Sequence, residues 1–178
     1  MKEFYEIDGW FGYDHSKVYD YLVENTTSGG SFLELGAWLG RSTAYLIDNA
    51  PNLNITVIDS WEGSDSELDT NHKLAKTKDI FSMFKENMGN RKFKFYKGRA
   101  EKLVEKFDNE YFDTIFIDMD HSYESVKRDI QLWLPKVKKG GLLAGDDYRA
   151  TLPGVIEAVK ELLPNSLIYH YGWIYRNN

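Results

Sequence analysis

Apolar positions along the chain follow two alternating rhythms. Short runs at Ser31–Leu35, Asn54–Ile58, Tyr111–Ile117 and Leu142–Ala144 have the length and composition of buried strands. Between them lie segments whose apolar residues recur at helical spacing. These are Asp14–Glu24 (Val18, Tyr21, Leu22), Arg41–Asn49, His72–Met88 (Leu74, Ile80, Phe81, Phe84), the short Ala100–Phe107, Ser122–Val137, and Pro153–Leu163 with proline in its first turn. Asp14 is placed to cap the first helix. Lys136, Lys138 and Lys139 are expected in the last turn of the Ser122 helix, where cations suit the dipole, with Gly140-Gly141 as its stop. Arg91–Tyr96 reads as another strand, and the tail S-L-I-Y-H-Y-G-W-I-Y-R as two short aromatic strands around Gly172.

Strands alternating with helices predict an α/β fold, a mainly parallel sheet with helices on both faces. Ligands of such sheets bind beyond the carboxyl ends of the strands. Four apparent strands end in Gly36 to Gly40, Asp59, Asp118 and Asp146-Asp147, so the polar chemistry converges on one edge.

At 178 residues the chain is expected to form a single domain, residues 1–178, with 1–30 as an N-terminal helix or lid and 31–178 as the core. The net charge of −6 does not steer the molecule as a whole towards nucleic acid or anionic lipid. Without cysteine there are no disulfides, thiolate metal sites or cysteine nucleophiles. The segment M-K-E-F-Y-E-I-D has no apolar stretch of signal-peptide type, and no apolar run is long enough to span a bilayer. A cytoplasmic location with no membrane partner is therefore expected. The basic run from Arg91 to Lys102, interleaved with Phe93, Phe95 and Tyr96, suits either single-stranded nucleic acid or an edge strand defended by lysines; the net charge favours the edge.

The segment F-L-E-L-G-A-W-L-G-R-S puts Gly36 and Gly40 between the first strand and the next helix. It is E-x-G-x-x-x-G, which is neither the dinucleotide fingerprint nor a triphosphate loop. Asp59 follows at the end of the second strand, where a carboxylate can accept hydrogen bonds from two ribose hydroxyls. A glycine turn and a capping Asp is the plainer alternative. Together and in this order, the two elements point to a ribose-containing cofactor.

From Phe32 to Asp147 the sequence resembles class I S-adenosylmethionine-dependent methyltransferases, with E-L-G-A-W-L-G, V-I-D-S, G-R-A-E-K-L, F-D-T-I-F-I-D and K-K-G-G-L-L-A-G-D-D in the family's order. I-D-x-D-H-S-Y followed by G-G-x-x-x-x-D-D-Y is similar to the small metal-dependent O-methyltransferases of the catechol and macrolide-sugar types. The resemblance implies a Rossmann-like, seven-stranded, mostly parallel sheet with an antiparallel C-terminal strand. It places Glu34, Gly36, Gly40 and Ser42 around the methionine part of the cofactor, and Asp59 on the ribose. Ala100 and Glu101 would face adenine, with Ser60 or Trp61 against its ring, although Trp61 suits the core equally well. By the same resemblance Asp118 would border the cofactor as well.

Asp118, Asp120, His121, Asp146 and Asp147 would lie at neighbouring strand ends, where unpaired carboxylates repel unless a cation intervenes. Oxygen ligation suits Mg²⁺, Mn²⁺ or Ca²⁺. The resemblance assigns the ligand positions to Asp118, Asp146 and Asp147. His121 stands where the catechol-type enzymes carry a catalytic lysine, and a histidine there can accept a hydroxyl proton. Caps at Asp120 and Asp147, and His121 as a partner of a ligand, are the plainer alternatives; the cation and the His121 base are the favoured readings. Tyr148 and Arg149 are candidates for the acceptor pocket; Trp10, Tyr13, Asp14 and Ser64 to Leu74 are candidates for a lid; and His15, His72 and His170 are read as structural or solvated. The expected activity is methyl transfer to a hydroxyl of a small molecule, assisted by a divalent cation. The alternatives are a non-catalytic S-adenosylmethionine-binding module and a nucleic-acid methyltransferase. A chain this short leaves room for a homo-oligomer that borrows a neighbour's surface.

Overall fold

The apolar runs assemble into one seven-stranded sheet in a computed structural model that describes residues 2–63 and 72–178. Its strands are β1 (Ser31–Leu35), β2 (Asn54–Asp59), β3 (Lys94–Lys97), β4 (Phe112–Ile117), β5 (Val137–Gly145), β6 (Leu167–Tyr169) and β7 (Gly172–Arg176). They lie in the order β3-β2-β1-β4-β5-β7-β6. The first five pair in parallel, and β7 runs antiparallel to both its neighbours, as expected. Strand order reverses between β1 and β4, and a parallel sheet opens a ligand crevice at such a switch point.

Successive strand residues point to opposite faces, and the core divides accordingly. Phe32, Val57 and Phe116 meet Val18, Leu22, Leu46 and Phe84 from α1 (Tyr13–Glu24), α2 (Arg41–Asn49) and α3 (Ile80–Met88). Leu33, Leu35, Ile115 and Ile117 meet Ala100, Ile130, Trp133 and Val159 on the other face, from α4 (Ala100–Leu103), α5 (Tyr123–Trp133) and α6 (Pro153–Leu162). No helix among the described residues is long and apolar enough to cross a membrane.

Three elements differ from the sequence reading, each for a local reason. His72–Met88 divides into a 3-10 turn, His72–Lys76, and α3, because the Asp79 carboxylate accepts the Ser82 backbone N–H at 3.0 Å and starts a new helix. α1 is entered at Gly12, not at Asp14, and the His15 ring takes the Gly12 N–H at 3.0 Å. The Ser122 helix stops at Trp133, where Pro135 forces a 3-10 turn, so Lys138, Lys139 and Gly140-Gly141 belong to β5. Lys138 is therefore no helix-end cation; its Nζ lies 2.8 Å from Asp113 Oδ2, across to β4. The basic run forms the edge strand β3 and its approaches: Arg91 pairs with Asp48 at 2.6 Å, and Lys97 lies over the Phe81 ring.

Asp129, on the buried face of α5, is 1% exposed. One oxygen meets Arg128 Nε at 3.2 Å, while Oδ2 has no hydrogen-bond partner among the described residues. Burial pushes its carboxyl up to about 6, against the charge of Arg128. A folded state that holds its proton more tightly than the unfolded chain is favoured below the usual carboxylate range, and that advantage is lost as pH rises through about 6. Asp129→Asn is expected to stabilise the protein at pH 8 by about 2–3 kcal/mol, an upper figure, and by little at pH 5. Thermal unfolding at the two pH values checks this.

Candidate active site

The carboxyl ends of β1, β2, β4 and β5 open into a cavity of about 550 Å³. This is the usual size for a small-molecule or cofactor pocket. The turn after β1 forms one wall. Gly36, at φ +89°, packs so tightly on the chain beyond β4 that an added Cβ would fall 1.7 Å from the Asp118 carbonyl oxygen. Gly40, at φ +90°, precedes α2, whose first residues Arg41 and Ser42 face the cavity while Gly40 backs onto Met88 and Phe84.

Asp59 braces this turn. Its Oδ2 accepts the backbone N–H groups of Ala37 and Trp38 at 2.7 and 2.8 Å, and its Oδ1 accepts that of Trp61 at 2.6 Å. Ser60, Ala100 and Glu101 line the same cavity. Glu34 lies beneath it, fully buried, accepting hydrogen bonds from Tyr19 at 2.7 Å and from Thr43. Burial holds the Glu34 carboxyl above its ordinary range, opposed by those two donors. Trp61 is also buried, ring against Phe81 and Phe84, with its indole N–H on the Trp38 carbonyl at 2.9 Å. Of its two readings, this is the core position.

The acidic cluster occupies the rest of the wall. Asp118, His121 and Asp147 offer ligand atoms within 4.8 Å of one another. His121 Nε2 stands 2.6 Å from Asp147 Oδ2, out of line for a well-formed hydrogen bond, and Arg149 meets the other oxygen. Asp147 is held in the left-handed region at φ +64°, a conformation Asp tolerates better than most residues. Asp146 is directed elsewhere: Oδ1 accepts the Asp147 N–H at 2.8 Å, and Oδ2 lies 3.3 Å from His15 Nε2. Asp120 caps the turn into α5 through the Ser122 N–H at 2.8 Å.

These environments push the carboxyls apart. Burial raises Asp118 well above the carboxylate range, and the neighbouring Asp146 and Asp147 charges add to it. Asp118 still lines the cavity. Burial likewise raises Asp146, against the nearby His15. Burial would raise Asp147 too, but His121 and Arg149 outweigh it and leave its carboxyl below the ordinary value. The contact with Asp147 in turn raises His121, against its burial. One ionised carboxylate beside two that resist ionisation is an arrangement suited to a cation or to proton transfer.

The chain before β1 closes the cavity, which the sequence reading attributed only loosely to a lid. Trp10, Phe11 and His15 line it, and Arg41 Nη1 fastens the segment through the Gly9 carbonyl at 3.0 Å. His15, read from sequence as structural or solvated, is thus part of the wall, whereas His170 pairs with Asp14 at 2.6 Å away from it. Arg149 lines the cavity as expected; Tyr148 packs into the core instead. Ser64 to Asn71 and the side chain of His72 lie outside the described residues.

Residues 33–148 match the family described as a methyltransferase domain. An uncharacterised protein of Acanthamoeba polyphaga mimivirus is 27% identical over 135 residues, covering 75% of this chain and 59% of that protein, so the chain spans about three-fifths of the curated relative it matches. Among solved structures, a Corynebacterium glutamicum protein superposes with a TM-score of 0.66 at 15% identity, over 97% of this chain and 84% of that one. A TDP-rhamnose 3'-O-methyltransferase of calicheamicin biosynthesis gives 0.55 at 16% identity, over 90% and 76%. The MycE methyltransferase of the mycinamycin pathway, in complex with Mg and SAH, gives 0.61 at 15% identity, over 96% and 51%. At such identities the structural likeness is one of fold, and the family match rests on the sequence. The chain belongs to the methyltransferase-domain family, built on the class I fold of S-adenosylmethionine-dependent enzymes.

Proposed function

We propose that the protein transfers a methyl group from S-adenosylmethionine to a hydroxyl of a small molecule, with a divalent cation beside the acceptor oxygen. The observation that carries this is the meeting, in one cavity, of the glycine turn with Asp59 and of Asp118, His121 and Asp147. Similar folds described as a sugar O-methyltransferase and as an enzyme in complex with Mg and SAH support the same reading.

The residues present fit both groups. The first-turn N–H groups of α2 have no partner within the helix and suit the carboxylate of a methionine moiety, next to Gly36 and Ser42. Asp59, its direction fixed by the glycine turn, suits the ribose, and Ser60, Ala100 and Glu101 suit the adenine end. For the cation, Asp118 and Asp147 offer hard oxygen donors beside His121, and burial followed by the neighbouring carboxylates raises Asp118, a repulsion that a bound cation would relieve. Asp118 and Asp147, which come together beside His121, would hold it; Asp146, turned towards the Asp147 N–H and His15, would join them only by rotating its carboxylate. A divalent cation there lowers the pKa of an adjacent hydroxyl and orients it.

The chain's own residues do the rest. The cavity holds donor and acceptor in line, and this positioning supplies much of the rate in a displacement at a sulfonium methyl. His121 takes the acceptor proton on its ring nitrogen, and Asp147 stabilises the imidazolium that forms. Trp10 and Phe11 close the wall and keep water from the transferred group.

Calorimetry with S-adenosylmethionine and S-adenosylhomocysteine, with and without Mg²⁺, followed by a panel of hydroxylated acceptors, tests the proposal. Both cofactor forms are expected to bind, and methylation to require the cation. Binding without turnover on any acceptor would favour a non-catalytic module. No binding of either form would overturn the reading.

A further inference from the structure

We propose that the β3 edge of the sheet binds single-stranded nucleic acid, with lysines on the phosphates and the exposed ring of Phe95 against a base. The inference goes beyond the methyl-transfer reading and does not depend on it.

The total charge of −6 hides an uneven distribution. Residues 76–106, which run from the 3-10 turn before α3 to the one after α4, hold ten Lys and Arg against four Asp and Glu. That stretch carries +6 and the rest of the chain −12. A polyanion responds to the local field of the surface it meets, so the negative total does not exclude this region.

The fold gathers these charges on an edge. β3 is the outermost strand on its side of the sheet, and its sequence K-F-Y-K leaves Lys94, Phe95 and Lys97 exposed. Arg91 is taken up by Asp48 at 2.6 Å, and Arg99 Nε lies 3.7 Å from Glu62. Lys85, Lys94, Lys97 and Lys102 form no ion pair among the described residues.

Lysines alone would protect an edge strand from pairing with another chain. An exposed aromatic ring works against such protection, and Phe95 is 41% exposed. Its ring is held by Phe81, Phe93 and Trp61 at centroid distances of 5.6, 5.9 and 6.3 Å. Phe95 and Lys97, two positions apart on a strand, share one face of the sheet. On that face Lys85 and Lys97 lie 4.6 and 4.8 Å from the centre of the Phe81 ring, so cations and rings interleave. Single-stranded nucleic acid matches both parts, with a charge at each phosphate and a flat base beside it. An acidic peptide would match the charges and leave the ring without a partner, and a duplex would keep its base faces stacked away.

Fluorescence anisotropy with a labelled oligouridylate of about twelve nucleotides tests this. Binding is expected at low salt, with log K falling against log salt at a slope of about −2, the value for three phosphates. Phe95→Leu keeps the apolar packing and removes the ring; it should weaken binding about tenfold and leave the slope unchanged. The double variant Lys85→Gln with Lys97→Gln should make the slope shallower by about 1 to 1.5. Thermal unfolding establishes that both variants fold. No binding at low salt, or binding that Phe95→Leu leaves unchanged, would overturn the proposal. Polyglutamate or phosphatidylserine vesicles displacing the labelled strand as well as unlabelled oligouridylate does would overturn the assignment to nucleic acid.

Discussion

Asp118→Asn is expected to lower turnover by about a thousandfold while leaving the fold at least as stable as before. The substitution keeps the shape of the side chain and the backbone contact behind it, in which the Asp118 N–H donates to the Leu35 carbonyl at 2.8 Å. It removes one negative charge from a cluster in which burial, then Asp146 and Asp147, already oppose ionisation of Asp118. With that charge gone, the two remaining carboxylates make a poor site for a hard divalent cation. Stability should move the other way. A carboxyl raised above its unfolded value favours the folded state only while it is protonated, and that contribution fades as pH rises through the folded value. The asparagine protein should therefore gain on the wild type between pH 5 and pH 8 when both are kept in chelator. Turnover on an active acceptor, Mn²⁺ affinity and unfolding temperatures at the two pH values are the measurements. Unchanged turnover together with unchanged Mn²⁺ affinity would remove the cluster from the reaction. A functional carboxylate that costs stability is a common exchange at active sites.

Much of this site was legible because its residues follow strands. The carboxyl end of a parallel strand is fixed by the strand's own pattern, so Gly36, Asp59, Asp118 and Asp146-Asp147 could be brought to one edge from local sequence alone. That β1 to β5 run parallel was legible from the alternation of strands and helices, whereas the antiparallel β7 followed only from the family resemblance. What stayed hidden depends on contacts between distant segments. His15 has no local motif, and its place beside Asp146 follows only once α1 has docked on the sheet. Arg41 could be read as the start of a helix but not as the tether of Gly9. The split at Asp79 did leave a signal, a capping residue followed three positions later by a serine whose N–H it accepts; the apolar spacing through Phe84 masked it. Pro135 was the signal for the end of α5, but the lysines and glycines after it resemble a helix stop even when they enter a strand. Trp61 illustrates the remaining kind of ambiguity: an aromatic after a strand suits a ring-stacking pocket and a core equally, and only the packing of Phe81 and Phe84 decides.

Gly36→Ala is expected to destabilise the protein by about 3–5 kcal/mol, among the largest losses a single methyl group can cause. Two costs combine. The backbone at Gly36 lies at φ +89°, where an L side chain costs about 1–2 kcal/mol. The new Cβ would also stand 1.7 Å from the Asp118 carbonyl oxygen and 2.7 Å from its carbonyl carbon. Neither atom can swing aside as a side-chain tip would, because the Asp118 N–H is bonded to Leu35 and the Gly36 N–H to Ile58, at 2.8 and 2.9 Å. Relief therefore has to come from parting β1 and β4 at the point where the cavity opens. Gly29 isolates the first cost: it has φ +78° with nothing within 4 Å of an added Cβ, so Gly29→Ala should lose only about 1 kcal/mol. Gly40 belongs between them, since the 2.4 Å clash there is with the tip of Met88, which can move. Urea unfolding of the three variants should give the order Gly36, Gly40, Gly29. Because the obstacle at Gly36 is the backbone of Asp118, any folded Gly36→Ala protein should also lose affinity for S-adenosylhomocysteine and Mn²⁺ together. Equal losses at Gly36 and Gly29 would mean that strain alone calls for glycine, and that the close approach joining the cofactor turn to the acidic cluster is not a constraint on the fold.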